Sequence, residues 1–258
     1  PPPPSRQQIE AQVRDLYRYV EQHGGPSWEV FRKSPDFEEE MSRRLEDGLA
    51  FQEHTVLGGD WAAFQDSPEL MTSLREAEDL VGTNAREAVT WYEGLLRQTT
   101  DQHQKAAIEF RIADIYYHIL NAGWVPNPAE AKRRFEAIVD RHAPLCPEVI
   151  RSHYWLGDIN FKEGNFSEAR EHYLAVRQAQ ETVEAAPEQY PPLSRHWAGL
   201  LGRNVGQWLR AVDNAEVMAK TGSKPDSEPV DWAVVWRAVA ERGTTKYCVS
   251  RGGGGNMW

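Results

Sequence analysis

The stretch Ile150–Val183 constrains the fold more than any other part of the chain. It reads IRSHYWLGDINFKEGNFSEAREHYLAVRQAQETV, two amphipathic helical patterns joined by a Gly164-Asn165 turn. Glycine followed by asparagine favours the positive-φ conformation that ends a helix and reverses the chain. Ala169 and Tyr173 are four residues apart, so they share one face of the second helix, where a small and a large side chain allow two helices to interdigitate. The stretch therefore predicts a helical hairpin.

A second copy of this pattern lies just upstream, over Ala106–Pro144. Ile112-Ala113 stands at the place of Leu156-Gly157, and Ala131 precedes Phe135 by the same spacing. The turn is longer here, with the sequence NAGWVPNP. A third, fainter copy has its first helix over about Pro68 to Val81 and ends with the apolar residues Ala88, Tyr92 and Leu95.

The order Leu156-Gly157, Phe161, Gly164, Phe166, Ala169 and Tyr173 resembles the tetratricopeptide repeat (TPR), a 34-residue helix–turn–helix unit. The resemblance spans roughly residues 68–183. It implies an all-α fold, a right-handed solenoid of TPR-like helical hairpins with helical caps at both ends, because terminal repeats otherwise expose apolar faces. A helical hairpin inside a non-repeating bundle is the alternative.

Four segments follow from this interpretation. We expect an N-terminal arm and capping helices over 1–66, TPR-like repeats over 67–186, C-terminal capping helices over 187–242 and a flexible tail over 243–258. The C-terminal caps are predicted as one long helix that carries Trp197 to Ala215, followed by a last helix over Val230–Arg242, because apolar residues recur there in steps of three and four.

Composition narrows the range of partners. A net charge of −10 argues against nucleic acid, whose phosphates would be repelled. No apolar run is long enough to span a membrane, which predicts a soluble protein. The ten tryptophans indicate broad helix contacts or an interface. The chain begins PPPPSR, which is compatible with the removal of an export or organelle-targeting signal, and the compartment stays open.

Catalytic and metal motifs are missing from the sequence, so we expect a non-enzymatic protein without cofactor. There is no GxSxG, no phosphate-binding loop and no HExxH. His142, Cys146 and His153 are near each other in sequence, but prolines place them at a turn, whereas zinc requires ligands on a rigid frame. Asp114 and Asp158 as an acid/base couple would lack a third group. We therefore expect no catalytic residue and no metal site.

The resemblance also implies where a partner would bind. In tetratricopeptide proteins the first helices of successive repeats line a concave groove. Residue by residue, this implies nine partner-binding residues here: Phe110, Asp114, Tyr117, His118, Arg151, Tyr154, Asp158, Phe161 and Lys162. Repeats that clamp a terminal carboxylate usually present Asn and Lys at these places, whereas this chain has Asp twice. An acidic groove with aromatic walls predicts a protein or peptide partner with basic or aromatic residues. Alternatively, the two aspartates are only solvated and the contact lies elsewhere.

Three functions remain open at this point. The first is a protein–protein interaction scaffold, an accessory or structural subunit of a larger multi-subunit complex. The second is an α-helical hydrolase or lyase that acts in the concave groove through Asp114 and Asp158. The third is a small-ligand binding protein with an aromatic pocket near Trp197, Trp208, Trp232 and Trp236.

Overall fold

A computed structural model describes residues 5–22, 27–33, 37, 38, 41, 59–119 and 124–221. The described residues fall into two compact units, one within 5–41 and the other over 59–221. The arm Pro1–Pro4, the helix start at Ser34-Pro35, the last helix Val230–Arg242 and the tail 243–258 lie outside the described residues. The expected division into four segments therefore remains a prediction.

The first unit contains helices α1 (Arg6–Gln22) and α2 (Trp28–Arg32). Helix α1 begins with a capping box, because the Ser5 backbone N–H donates to Gln8 Oε1 at 2.8 Å and the Gln8 N–H donates to Ser5 Oγ at 3.3 Å. Five apolar side chains form its small core: Ile9, Val13, Trp28, Phe37 and Met41.

The second unit begins with a 3₁₀ helix, Gly59–Phe64. Eight α-helices follow within 59–221: α3 (Pro68–Val81), α4 (Ala85–Gln98), α5 (Gln102–His118), α6 (Pro128–Arg141), α7 (Pro147–Glu163), α8 (Phe166–Ala185), α9 (Pro192–Gly202) and α10 (Val205–Thr221). No β-strand occurs in the described ranges, so the expected all-α class is confirmed. None of the helices in these ranges combines the length and apolar character needed to cross a bilayer.

Helices that are consecutive in the chain pack against each other from α3 through α9. Helix α5 also contacts α7, α7 contacts α9, and α8 contacts α10. The two hairpins that carry the clearer sequence copies, α5/α6 and α7/α8, are therefore neighbours in space. Their common core continues into α9 and α10 through apolar residues such as Trp197 and Val212.

The small–large pairs of the second helices are buried as the sequence predicts. Ala169 and Tyr173 in α8 and Ala131 and Phe135 in α6 have at most 4 % of their surface exposed. Capping also follows the sequence: Gly164 ends α7 with φ of 79°, and the side chains of Asn84 and Asn127 accept the backbone N–H groups of Glu87 and Glu130 at the starts of α4 and α6.

The C-terminal part of the unit differs from its prediction. The expected single helix after Pro191-Pro192 is two helices, α9 and α10, because the chain leaves the helical path between Gly202 and Val205. At Gly202 an added Cβ would lie 2.1 Å from Oε1 of Gln180 in α8. The close approach of α8 at this glycine explains why a small residue ends α9 there.

Gly157 provides a test of the packing between α7 and α8. A Cβ at this position would lie 2.5 Å from Cε1 of Tyr173, whose ring is held against Trp208. We expect Gly157→Ala to lower the free energy of unfolding by about 1–3 kcal/mol, because the buried ring has to move. Gly199→Ala is the control, since an added Cβ there meets nothing within 4 Å. Urea denaturation measures both. An equal or higher stability for Gly157→Ala would contradict the close packing.

A histidine pair also joins α7 to α8. The Nδ1 atoms of His153 and His172 lie 3.1 Å apart. Burial, followed by the charge of His172, lowers the pKa of His153 from 6.5 to about 4. Burial lowers the pKa of His172 as well; Glu171 and Glu168 oppose this shift and Lys132 of α6 reinforces it.

These lowered pKa values predict acid sensitivity. The unfolded chain takes up a proton at His153 near pH 6.5, and the folded chain only near pH 4, so the stabilisation is complete above 6.5 and is lost as the pH falls from 6.5 towards 4. We expect the histidine pair to account for about 2–3 kcal/mol of the free energy of unfolding that is lost over this pH range. Urea denaturation across this range should show a smaller loss for the double variant His153→Gln/His172→Gln. An unchanged pH dependence in the double variant would contradict the prediction.

Candidate functional site

The nine residues expected to bind a partner lie on α5 and α7, which contact each other. They divide into two sets by exposure. Four are buried: Phe110, Asp114, Arg151 and Tyr154. Five are half-buried or exposed, and all of these lie near the carboxyl ends of the two helices: Tyr117, His118, Asp158, Phe161 and Lys162. We call the first set the closed half and the second set the open half. Whether either half binds a partner stays a prediction.

Asp114 of the closed half belongs to an ion-pair network whose centre is the buried Arg111 of α5. Its guanidinium donates to both carboxylate oxygens of Glu78 at 2.6 and 2.7 Å, and to Asp114 Oδ2 at 2.5 Å. The Tyr92 hydroxyl donates to the same Glu78 at 2.7 Å. Helices α3, α4 and α5 are thereby tied together by charged and polar groups, of which Arg111 and Asp114 are buried and Glu78 is half-buried.

Asp114 stays ionised in this network. Burial alone would raise its pKa, but His118 and the guanidinium groups of Arg111 and Arg151 hold that pKa well below its ordinary value. His118 Nδ1 lies 2.9 Å from Asp114 Oδ1. The carboxylate is therefore shielded from water and bound by Arg111 and His118 of its own helix.

Arg151 of α7 lies between two aromatic rings. Its guanidinium carbon is 3.9 Å from the ring centre of Phe110 and 4.4 Å from that of Trp197. Its Nη1 donates to Asp60 Oδ1 at 2.6 Å. Burial raises the pKa of Asp60 although Arg151 counteracts the shift, and burial also raises the pKa of nearby Glu148. The 3₁₀ segment Gly59–Phe64 thus supplies the acid that this arginine requires.

The open half is a smaller cluster that water can reach. The Tyr117 hydroxyl donates to Asp158 Oδ2 at 2.5 Å, and Lys162 Nζ donates to the same oxygen at 2.7 Å and to the Tyr117 hydroxyl at 2.9 Å. Burial and then Asp158 raise the pKa of Tyr117, so its hydroxyl stays protonated. The Lys162 side chain is 64 % exposed. The half-buried carboxylate of Asp158 is therefore shared by a half-buried tyrosine and an exposed lysine.

Aromatic side chains continue from this cluster into the core. The His118 ring lies 4.3 Å from that of Trp155, and Tyr117 lies 5.6 Å from Trp155. Tyr154 contacts Trp155 and also Trp208 of α10, each at 4.5 Å between ring centres. These contacts fix the ring orientations at the edge of the open half.

Among the described residues of the two alternative sites, the members of each site have different partners. Asp114 and Asp158 are bound by different partners, Arg111 with His118 and Tyr117 with Lys162. Trp197 packs on Arg151, whereas Trp208 packs on Tyr154 and Tyr173; Trp232 and Trp236 lie outside the described residues.

The histidines and the cysteine considered as zinc ligands are separately engaged or buried. His142 Nε2 is 2.8 Å from Glu109 Oε2, and burial raises the pKa of the Cys146 thiol to about 12. His153 instead contacts His172. Within the described ranges no three His, Cys, Asp or Glu side chains converge on a point where a metal ion could bind.

Three residues of this region were not singled out from the sequence: Asp60, Glu78 and Arg111. The i,i+3 spacing of Arg111 and Asp114 on one helix face was a usable signal for an ion pair. Nothing local indicates Asp60 or Glu78 as partners, since they are 91 and 33 residues away from the arginines they bind.

Comparison of the chain with known protein families, with curated proteins and with solved structures finds no significant match.

Removing the central arginine tests the closed half. Arg111→Met removes the cation that pairs with buried Asp114 and half-buried Glu78, so we expect the free energy of unfolding to fall by about 3–5 kcal/mol. The matched control is Arg133→Met. Its side chain is 63 % exposed and pairs with Glu130 at the surface, where such pairs contribute about 0–1 kcal/mol. Urea denaturation measures both variants, and equal small losses would contradict the buried network.

Proposed function

We propose that the unit 59–221 is a TPR-like, right-handed helical-repeat scaffold that binds a segment of a partner protein at the open half. Consecutive packing of α3 through α9, together with the contacts of α5 with α7 and of α7 with α9, supports this architecture. Stacked hairpins of this kind present long surfaces for protein partners. The accessible carboxylate of Asp158, framed by Tyr117 and Lys162, is the observation that carries the proposal.

The chemistry of the open half favours a basic partner segment. Tyr117 and His118 are at the end of α5, and Asp158 and Lys162 lie near the end of α7. Helix carboxyl ends carry partial negative charge, which attracts cations. Lys162 shows how a cation can bind Asp158, because its ammonium group donates to this carboxylate from an exposed position. A lysine or arginine of the partner replaces it at little cost, since exposed pairs of this type contribute about 0–1 kcal/mol.

Half-buried aromatic side chains complete the recognition surface. Tyr117 and Phe161 lie beside the Asp158 carboxylate, and the ring of Trp155 contacts the rings of Tyr117 and His118. Tyrosine and phenylalanine are enriched at protein interfaces, and the apolar stem of a partner's lysine or arginine packs on such rings. The partner segment is therefore one in which basic and aromatic residues alternate or adjoin.

The closed half has a structural role in this proposal. Arg111 pairs with Asp114 and Glu78, and Arg151 pairs with Asp60, so these residues hold the helices of the unit in register rather than contact the partner. The net charge of −10 is consistent with a basic partner and with an accessory or structural subunit of a larger complex.

A peptide selection tests the proposal. A displayed library of random peptides is selected on the full chain and counter-screened on Asp158→Asn, which removes the charge but keeps the shape. We expect the enriched peptides to carry lysine or arginine beside an aromatic residue. Fluorescence anisotropy should show their affinity to fall roughly tenfold, about 1.4 kcal/mol, in Asp158→Asn.

The control is Asp213→Asn, an exposed aspartate of α10 that pairs with Arg170. It should leave peptide affinity unchanged. Asp114 is unsuitable for this test, because its substitution disturbs the buried network. Enrichment of acidic peptides, or equal binding to the wild type and to Asp158→Asn, would refute the proposed site.

A further inference from the structure

The stretch 243–258 of the sequence, which lies outside the described residues, has the composition proposed for the partner segment. It reads GTTKYCVSRGGGGNMW and contains Lys246 and Arg251 but neither aspartate nor glutamate. The stretch is therefore basic within a chain whose net charge is −10. Lys246 is directly followed by Tyr247, which places a cation beside an aromatic ring. These are the two features that the open half favours in a ligand.

Asp158 of the open half has an acceptor oxygen that the described residues leave open. The Tyr117 hydroxyl and Lys162 Nζ both donate to Oδ2 of Asp158, and no described residue donates to its Oδ1. The Asp158 side chain is 20 % exposed, so a cation can reach the carboxylate from solvent. A second ammonium group therefore finds an acceptor whether or not Lys162 leaves.

An aromatic surface lies beside this carboxylate. Phe161 is three residues after Asp158, on the same face of α7. The Phe161 ring is half-buried, and its centre is 6.2 Å from that of Phe166 at the start of α8. A half-buried ring keeps apolar surface in contact with water, and a tyrosine that packs on this surface removes it from water. The open half thus offers a place for Tyr247 next to a place for Lys246.

The chain between the described residues and Lys246 is long enough to reach the open half. Residues 222–245 separate Thr221 from Lys246 and span at most about 80 Å when extended, or about 55 Å if Val230–Arg242 forms the expected helix. The longest helix within 59–221, α8, has 20 residues and is about 30 Å long. A segment tethered in this way has an effective concentration on the order of millimolar, so a weak contact is sufficient.

We propose that the segment Lys246–Arg251 binds the open half of its own chain and competes with the partner for Asp158. This inference rests on the proposed function, because segment and partner use the same carboxylate. Lys246 donates to Asp158, and Tyr247 packs beside Phe161. One accessible ion pair and one ring give a weak contact, which a better-matched partner displaces. The segment therefore excludes weakly binding partners and admits strongly binding ones.

Carbodiimide cross-linking of the full chain tests the contact directly. The reagent joins a carboxylate to a lysine amine within ion-pair distance. A mixture of isotope-labelled and unlabelled chains separates links within one chain from links between two chains. We expect peptide mass spectrometry to show Asp158 joined to Lys246 within one chain, both in the wild type and in Asp213→Asn. Absence of this link, or a link that forms only between two chains, would overturn the proposal.

A competition measurement tests the consequence for partner binding. Fluorescence anisotropy gives the affinity of a peptide selected at the open half for the wild type, for Lys246→Ala/Tyr247→Ala and for Lys224→Ala. The last is the control, because it removes a lysine that has no aromatic neighbour. We expect the double variant to bind the peptide about fivefold more tightly, as for a site that the segment occupies roughly 80 % of the time. The control should match the wild type.

The two proposals fail in different ways. Equal affinities in all three chains would overturn the role of the segment. If the same peptide still loses affinity in Asp158→Asn, the partner site stands and only the competition by Lys246–Arg251 is refuted. Peptides that bind Asp158→Asn as tightly as the wild type would instead refute the partner site, and with it the competition.

Discussion

Helix α5 is buried from two sides, and the arrangement of the second unit depends on this. Its residues Ile108, Ile112 and Ile115 pack with α3 and α4, whereas Phe110 and Ala113 pack with α6, α7 and α8. A helix in this position has little surface left for charged side chains. Arg111 and Asp114 are nevertheless in its middle, and burying either without a partner would be strongly unfavourable. Arg111 and Asp114 pair with each other, and Arg111 also pairs with Glu78. This pairing allows α5 to be part of both cores.

The division of the expected groove into two halves follows from the same constraint. Where α5 and α7 run through the interior, their charged residues need partners within the chain. Arg151 therefore pairs with Asp60, and Asp114 pairs with Arg111. Towards their carboxyl ends the helices reach the surface, and the corresponding residues meet water. The partner contact proposed above therefore lies at the helix ends, while the residues one or two turns earlier hold the helices in register.

Much of this fold could be predicted from the sequence because its signals are local. Gly164 ends α7 in the left-handed conformation, and Ala169 with Tyr173 forms the buried face of α8. The repeat pattern located the first helices that carry the candidate site. The repeat pattern could not show that Asp114 is buried. A carboxylate at a groove position looks the same in the sequence whether it pairs with a lysine of the partner or with an arginine one turn away on its own helix. The contact of Asp60 with Arg151 joins residues 91 apart, and no local pattern encodes it.

Helix α7 contacts two neighbouring helices with different sides of its surface. Asp158 is five residues after His153, which corresponds to about 140° around a helix with 3.6 residues per turn. One side therefore contacts α5, where Tyr117 binds Asp158, and the other contacts α8, where His172 meets His153. Because Leu156 and Ile159 of the same helix are packed in the core, α7 cannot rotate to favour one side over the other. The orientation in which α7 presents Asp158 is therefore set by the core contacts of α7 with its neighbours on both sides.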